Sequence, residues 1–112
     1  MIGGVRIIGG KKEFWIRGYV NGLRECLKTK GNMEELGKLA KKANDNLLEA
    51  LDKREELGDK ITEVSAFQSA VLDVMMEYNS FKGLFGCEGF AWMLVEKRIN
   101  EVLSTFEEAD ER

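Results

Sequence analysis

The chain contains no histidine, no proline and only two cysteines among its 112 residues. Histidine is the commonest general base, and histidine and cysteine are the usual ligands of zinc, so zinc sites and histidine-dependent catalysis are excluded. Any catalysis would have to rest on carboxylates, with Mg²⁺ or Mn²⁺ as the metals that prefer oxygen ligands. The two cysteines, Cys26 and Cys87, lie far apart in the sequence, which favours a reduced, cytoplasmic setting.

Long hydrophobic runs are also missing. The longest, FAWMLV at residues 90–95, is much shorter than the ~20 residues that cross a bilayer. The first ten residues, MIGGVRIIGG, lack the charged start and long apolar core of a secretory signal. We therefore expect no membrane partner. Hydrophobic residues make up 44% and charged residues 33% of the chain, a composition and length typical of one globular domain.

The net charge of −3 is unevenly distributed along the chain. Residues 1–42 hold 10 Lys/Arg and 4 Asp/Glu, a net +6, whereas residues 43–112 hold 7 and 16, a net −9. Because segments of opposite charge attract, this split predicts that the two parts pair with each other or with those of a second chain.

The N-terminal segment is typical of a β-hairpin. It has β-branched and aromatic residues on both sides of two glycines at 9–10, with Lys11 and Lys12 at the tip. A helix starting near Lys11 or Lys12 is the alternative. That helix would contain Gly18 and Gly22, and each glycine costs ~1 kcal/mol in a helix interior. We therefore favour a short hairpin or extended arm.

The strongest pattern in the chain is a heptad repeat of apolar residues between positions 36 and 78. Eleven of its thirteen positions are apolar or aromatic, and only Arg54 and Gln68 are polar. These two either fix the register of the helices, or Arg54 extends to solvent and Gln68 meets one internal partner. The repeat consists of Leu36, Ala40, Ala43, Leu47, Ala50, Arg54, Leu57, Ile61, Val64, Gln68, Val71, Met75 and Tyr78.

One unbroken helix over residues 33–79 would be about 70 Å long, whereas a compact domain of this size has a radius of gyration of ~13 Å. The repeat must therefore break or pair with another chain. Two N-x-x-E capping boxes, Asn32 with Glu35 and Asn46 with Glu49, predict helix starts. The second box favours a break at residues 44–46 over one at Gly58.

The C-terminal part should contain a glycine-spaced loop at residues 79–89, with its apolar residues tucked against the core. A helix from 90 to about 107 should follow, because its apolar residues recur at steps of three and four. This second stripe consists of Trp92, Val95, Ile99, Val102 and Phe106.

Together these patterns predict a mainly α protein. We expect a hairpin or arm over residues 1–18, then three or four helices over residues 19–112, packed in one domain as an antiparallel bundle with a long heptad-patterned helix. The length of the repeat and the charge split predict a homo-oligomer. The candidate core and interface residues are Leu47, Leu57, Ile61, Val64, Gln68, Val71, Met75, Trp92, Val95, Ile99, Val102 and Phe106.

Two acidic motifs offer an alternative function. EELGK at residues 34–38 and ELGD at residues 56–59 resemble the E-E-x-x-E and E-x-x-D motifs of the all-α MazG-type NTP pyrophosphohydrolases. The resemblance covers about a quarter of the chain. It implies that Glu35, Glu56 and Asp59 hold Mg²⁺ against a nucleoside triphosphate. Lys38 stands where that family has its third glutamate, and the heptad repeat turns these carboxylates toward solvent.

The basic N-terminal half offers another alternative, nucleic-acid binding. Lysine and arginine neutralise phosphates and aromatic rings stack on bases, so Lys11, Lys12, Trp15 and Arg17 are its candidate residues. The whole chain, however, has a sequence pI of about 5.1, whereas nucleic-acid-binding domains are usually strongly basic.

The interpretation that we favour is a small cytoplasmic helical protein for assembly or protein–protein interaction, without catalytic activity or a cofactor. Its expected partner is a second copy of the chain or another helical protein. Heptad repeats commonly pair helices in this way.

Overall fold

The computed structural model describes residues 11–111 of the chain. Five helices and no strand occur among these residues, so the protein is mainly α, as predicted. No helix in this part of the chain is long and apolar enough to cross a membrane. The helices are α1 Lys11–Lys28, α2 Met33–Asp52, α3 Arg54–Leu57, α4 Lys60–Phe85 and α5 Glu88–Glu111.

The prediction of a hairpin or arm is wrong for residues 11–18, which form the first two turns of α1. The predicted boundary between residues 18 and 19 therefore falls inside a helix. Residues 1–10, the other part of the predicted hairpin, lie outside the described range.

The glycines of α1 are accommodated because they lie directly against α4. A Cβ atom added to Gly18 would stand 2.0 Å from the carbonyl oxygen of Glu63, and one added to Gly22 would stand 2.7 Å from the Cβ of Ala70. No side chain fits at either position, so the two backbones meet closely. The packing this allows offsets the low helix propensity of glycine. Because Gly18 meets Glu63 and Gly22 meets Ala70, α1 and α4 run in the same direction.

Helix α4 is the centre of the molecule and contacts all four other helices, whereas α2 and α5 lie apart from each other. Helix α5 runs opposite to α4, since Tyr78 packs edge-on against Trp92 at 5.6 Å and Lys82 lies 3.3 Å from Glu88. The molecule is flat, with extents of 45 × 34 × 21 Å.

The heptad repeat breaks near Gly58, and the predicted break at residues 44–46 is wrong. Helix α2 continues through those residues to Asp52, and the chain turns between Lys53 and Asp59 around the short α3. Gly58 has φ +57° and ψ −127°, a conformation that only glycine adopts readily. Asn46 is thus an exposed residue inside α2 and not a cap.

The turn between α1 and α2 is the one that the capping box predicts. The side chain of Asn32 accepts a hydrogen bond of 3.0 Å from the backbone N–H of Glu35. Gly31 precedes it with φ +81° and lies beneath the ring of Trp92. The carbonyl oxygen of Gly31 accepts a 2.9 Å hydrogen bond from the hydroxyl of Tyr78 in α4.

The loop predicted at residues 79–89 is much shorter in the structure. Helix α4 extends to Phe85, and Gly86, at φ +66°, ends it in the left-handed conformation. Only Gly86 and Cys87 separate α4 from α5, which begins at 88 and not at 90 and continues past 107.

The core lies between α1, α4 and α5, with Leu36 of α2 at its edge. Of the candidate core residues, Val71, Trp92, Val95 and Ile99 are buried. The other candidates are half-buried: Leu47, Leu57, Ile61, Val64, Gln68, Met75, Val102 and Phe106. The list of candidate core residues contained none from α1, whose buried residues are Tyr19, Val20, Leu23 and Cys26.

Candidate interaction surfaces

A polar cluster lies where α1, α4 and α5 meet. The hydroxyl of Tyr19 donates a 2.5 Å hydrogen bond to Oδ2 of Asp73. Glu77, one turn further along α4, forms an ion pair with Arg98 of α5. These four side chains tie α4 to α1 and α5. Whether the cluster is a reactive site or a structural one depends on the protonation of these side chains and on the space beside them.

Burial governs the protonation of this cluster. It raises the pKa of the Tyr19 phenol, and the hydrogen bond to Asp73 raises it further. Burial also raises the pKa of Glu77, although the charge of Arg98 acts to lower it, and the charge of Asp73 adds a smaller upward effect. Desolvation favours the neutral form of both groups, which is how it acts on acids in apolar surroundings.

The space beside these groups is too small for a substrate. The cavity that Tyr19, Asp73, Glu77 and Arg98 line with apolar neighbours has a volume of about 20 Å³, enough for about one water molecule. Ligand pockets usually measure about 300 Å³ or more. The cluster therefore fixes the packing of α1 and α5 on α4.

A larger groove opens between α1, α2 and α4. It has a volume of about 250 Å³, and its floor includes Gly18, Ala43 and Phe67. Its polar lining consists of two neutral amides, Asn21 and Asn46, and the carboxylate of Glu63. The thiol of Cys26 is fully buried in the core, and burial raises its pKa to about 12.

The acidic motifs do not form a metal site in the described part of the chain. Glu34, Glu35, Glu56 and Asp59 are exposed, as the heptad repeat predicts. Lys38 lies 3.7 Å from Glu34 and 3.8 Å from Glu35, so it pairs with both carboxylates. No group of three or more acidic, histidine or cysteine residues that could hold a metal occurs among the described residues, so Glu35, Glu56 and Asp59 are not brought together.

The candidate nucleic-acid residues lie on α1 but do not form a stacking platform. Lys12 and Arg17 are exposed, and Arg17 lies 3.9 Å from Glu63. Trp15 is half-buried and stacks on Tyr19, with 4.8 Å between ring centroids, so its face packs against the core. The side chain of Lys11 lies outside the described part.

The two polar positions of the heptad repeat agree with the interpretation in which Arg54 extends to solvent and Gln68 meets one internal partner. Gln68 has one internal partner, since its Nε2 donates a 2.9 Å hydrogen bond to Oδ1 of Asn44 in α2. Arg54 is exposed at the start of α3. Gln68 therefore holds α2 beside α4, one helical turn before Leu72.

The most prominent surface features are exposed apolar side chains, in two groups. The first, which we call the turn patch, surrounds Gly86 and Cys87 and consists of Leu84, Phe85, Phe90 and Met93. Leu84 is 74% exposed, and the rings of Phe85 and Phe90 meet edge-to-face at 5.0 Å. The prediction that this segment tucks against the core is wrong, because α4 extends beyond the helices that could cover it.

The second group, which we call the α2–α4 face, consists of Leu48, Leu51, Leu72 and Met76. Because α2 runs antiparallel to α4, Leu48 and Leu51 lie beside the first turns of α4, and Leu72 and Met76 lie near its middle. Leu72 and Met76 lie on the side of α4 opposite the buried Ala70 and Val74, and Met76 is 68% exposed. The sequence pattern did not reveal this face, because Leu72 and Met76 lie beside the heptad repeat of α4 and are not members of it.

Comparisons with known proteins give no further indication of function. No protein-family model, curated protein or solved structure matches the chain. The function therefore has to be inferred from the surfaces that the chain itself presents.

Proposed function

We propose that the protein is a small helical assembly protein that acts without catalysis, by associating through apolar surfaces with a second copy of itself or with another helical protein. The observation that carries this proposal is the exposure of eight large apolar side chains in the turn patch and the α2–α4 face. Soluble monomers rarely expose contiguous apolar patches larger than a few hundred Å², and exposed apolar patches of that size mark interaction sites.

The composition of the turn patch suits a protein interface. Aromatic residues and methionine are enriched in interfaces, and the patch contains two phenylalanines and one methionine. Burying such a side chain contributes about 1.5–3 kcal/mol relative to leaving it in water. Methionine adapts to the shape of a partner helix.

The arrangement of the helices supports the same proposal. Consecutive long helices reverse direction across short turns, which favours the antiparallel bundle expected from the sequence. Helices α2 and α5 each cover one side of the close α1–α4 pair. A flat bundle of this kind leaves the far side of α4 open for another helix.

Self-association should make thermal stability depend on protein concentration. A partner that binds only the folded chain stabilises it by mass action, so the melting temperature should rise on the order of 5 °C for a hundredfold rise in concentration. Circular dichroism at several protein concentrations measures this shift. A melting temperature that stays constant over that range would count against self-association.

A further inference from the structure

We propose that two copies of the chain associate through the α2–α4 face with their α4 helices side by side and antiparallel. This inference rests on the proposed function and names the partner and the geometry. The two-fold axis would cross the outer side of α4 at the level of residue 74, between Leu72 and Met76. The α4 helix of one copy would then cover the outer side of α4 of the other.

The outer side of α4 carries no charged side chain between residues 61 and 81. This segment has three charged residues, Glu63, Asp73 and Glu77. Each of them points to a neighbouring helix, because Glu63 pairs with Arg17, Asp73 accepts from Tyr19 and Glu77 pairs with Arg98. A helix face exposed to water is normally rich in charge. The absence of charge here, in a chain that is 33% charged, suits burial.

The exposed residues of this side form a heptad pattern that is symmetric about residue 74. All six are exposed, and they follow one another at steps of four and three residues: Ser65, Ser69, Leu72, Met76, Asn79 and Gly83. Antiparallel pairing about this centre places Leu72 of one copy on Met76 of the second copy. Polar and small residues pair outside that apolar centre, which is the usual anatomy of an interface.

Helix α2 extends the face on one side. Asn44 is hydrogen-bonded to Gln68, and Leu48 and Leu51 follow Asn44 by four and seven residues, so they lie on the same side of α2. Their exposed fractions are 55% and 42%. The paired α4 helices would therefore have apolar side chains of α2 beside them.

Charge favours a second copy as the occupant, and the antiparallel orientation. The segments around the end of α4, residues 22–42 and 74–98, hold 9 Lys/Arg and 6 Asp/Glu, whereas those around its start, residues 11–21 and 43–73, hold 6 and 9. The hydrogen bond between Tyr78 and Gly31 places residues 22–42 at the end of α4. An antiparallel pair brings the basic end of each copy beside the acidic end of the other, and a parallel pair would bring like charges together.

The orientation can be tested with engineered disulfides in the full-length chain. Cys87→Ser removes the exposed thiol, and Cys26 is fully buried. In this background, one variant carries Ser69→Cys and a second, with a mass tag, carries Asn79→Cys. We expect the mixture to form a disulfide between the two variants under mild oxidation. Each variant alone should not, because its cysteines would lie about 15 Å apart along the antiparallel helices.

A matched pair of lysine variants tests the surface. Met76→Lys places a charge at the centre of the proposed contact, while Asn100→Lys places one at an exposed position of α5 outside both apolar groups. We expect Met76→Lys to weaken association about tenfold or more and Asn100→Lys to leave it unchanged, with unaltered circular dichroism in both.

Three outcomes would overturn the inference. If each cysteine variant cross-links with itself as readily as the mixture does, the antiparallel orientation is wrong. If association survives Met76→Lys, the α2–α4 face is not the contact, although the proposed function stands. If the wild-type chain has the mass of one copy at every concentration, both the inference and the self-association in the proposed function fail.

Discussion

At the scale of single residues, small side chains decide how closely the helices approach. Gly18 and Gly22 lie where α1 meets the α4 backbone, and Ala66 and Ala70 are buried on the α4 side. Sequence alone gives each glycine only its low helix propensity, since the partner backbone is not visible in it. Glycine therefore lowers helix stability at an open position but allows close helix packing where another backbone lies against it.

Substitution of two glycines by alanine separates these effects. Gly18→Ala should lower the free energy of unfolding by about 3 kcal/mol, because the new methyl group would overlap the carbonyl oxygen of Glu63. Gly37→Ala is the matched control. A Cβ there meets nothing within 4 Å, so this variant should gain about 0.5–1 kcal/mol. Urea unfolding measures both, and equal effects would contradict the close α1–α4 contact.

The raised pKa of Glu77 predicts how its contribution to stability changes with pH. A carboxyl with a raised pKa in the folded state holds its proton more tightly there than in the unfolded chain. Its stabilising effect is complete below the ordinary pKa of 4.5 and is lost as the pH rises through the folded value. Glu77→Gln has no proton to lose. Its free energy of unfolding, relative to wild type, should therefore increase as the pH rises from 4.5.

Urea unfolding of both proteins at several pH values measures this difference. Glu96→Gln changes the net charge equally at an exposed position of α5 and is the control for that change. A difference between Glu77→Gln and wild type that falls as the pH rises would show that the pairing with Arg98 outweighs burial.

At the scale of the helices, two identical sequence motifs have different roles. Asn32 and Asn46 each precede a glutamate by three residues, but only Asn32 caps a helix. The first box follows Gly31, which comes just after the end of α1, whereas Asn46 lies inside α2 between the buried Ala43 and Ala50. A tertiary contact thus overrides the local signal.

Alanine substitution should distinguish the two motifs. Asn32→Ala should lower the free energy of unfolding by about 1 kcal/mol, because the N–H of Glu35 loses its acceptor. Asn46→Ala should raise it by about 0.5 kcal/mol, since alanine is the better residue inside a helix. Chemical denaturation of the two variants beside wild type tests this pair. A loss of stability in Asn46→Ala would contradict its interior position.

The sequence predicted the helices better than their packing. The heptad repeat correctly marked Val71 and Tyr78 as buried, and the C-terminal stripe marked Val95 and Ile99. The sequence did not show that α1 covers α4, because Gly18 and Gly22 counted against a helix there, although α1 has its own apolar stripe at Tyr19, Leu23 and Cys26. The sequence also could not separate exposed apolar residues such as Phe85 from buried ones, since their burial depends on where the neighbouring helices end.

At the scale of the whole molecule, a flat arrangement of helices around α4 leaves apolar surface uncovered. The close α1–α4 pair places α2 and α5 on different sides, and neither reaches the outer side of Leu72 and Met76. The turn patch extends beyond the core for a similar reason. The polar cluster of Tyr19, Asp73, Glu77 and Arg98 has space for about one water molecule, and the exposed apolar residues are the observation that favours the proposed association.

Light scattering coupled to size exclusion tests this account most directly. The wild-type chain has a mass of 12.7 kDa, and association through apolar surfaces predicts a mass that rises with concentration toward twice that value. Met76→Lys should shift this rise to higher concentration. A mass of 12.7 kDa at every concentration up to the limit of solubility would contradict the proposal that the chain assembles with itself.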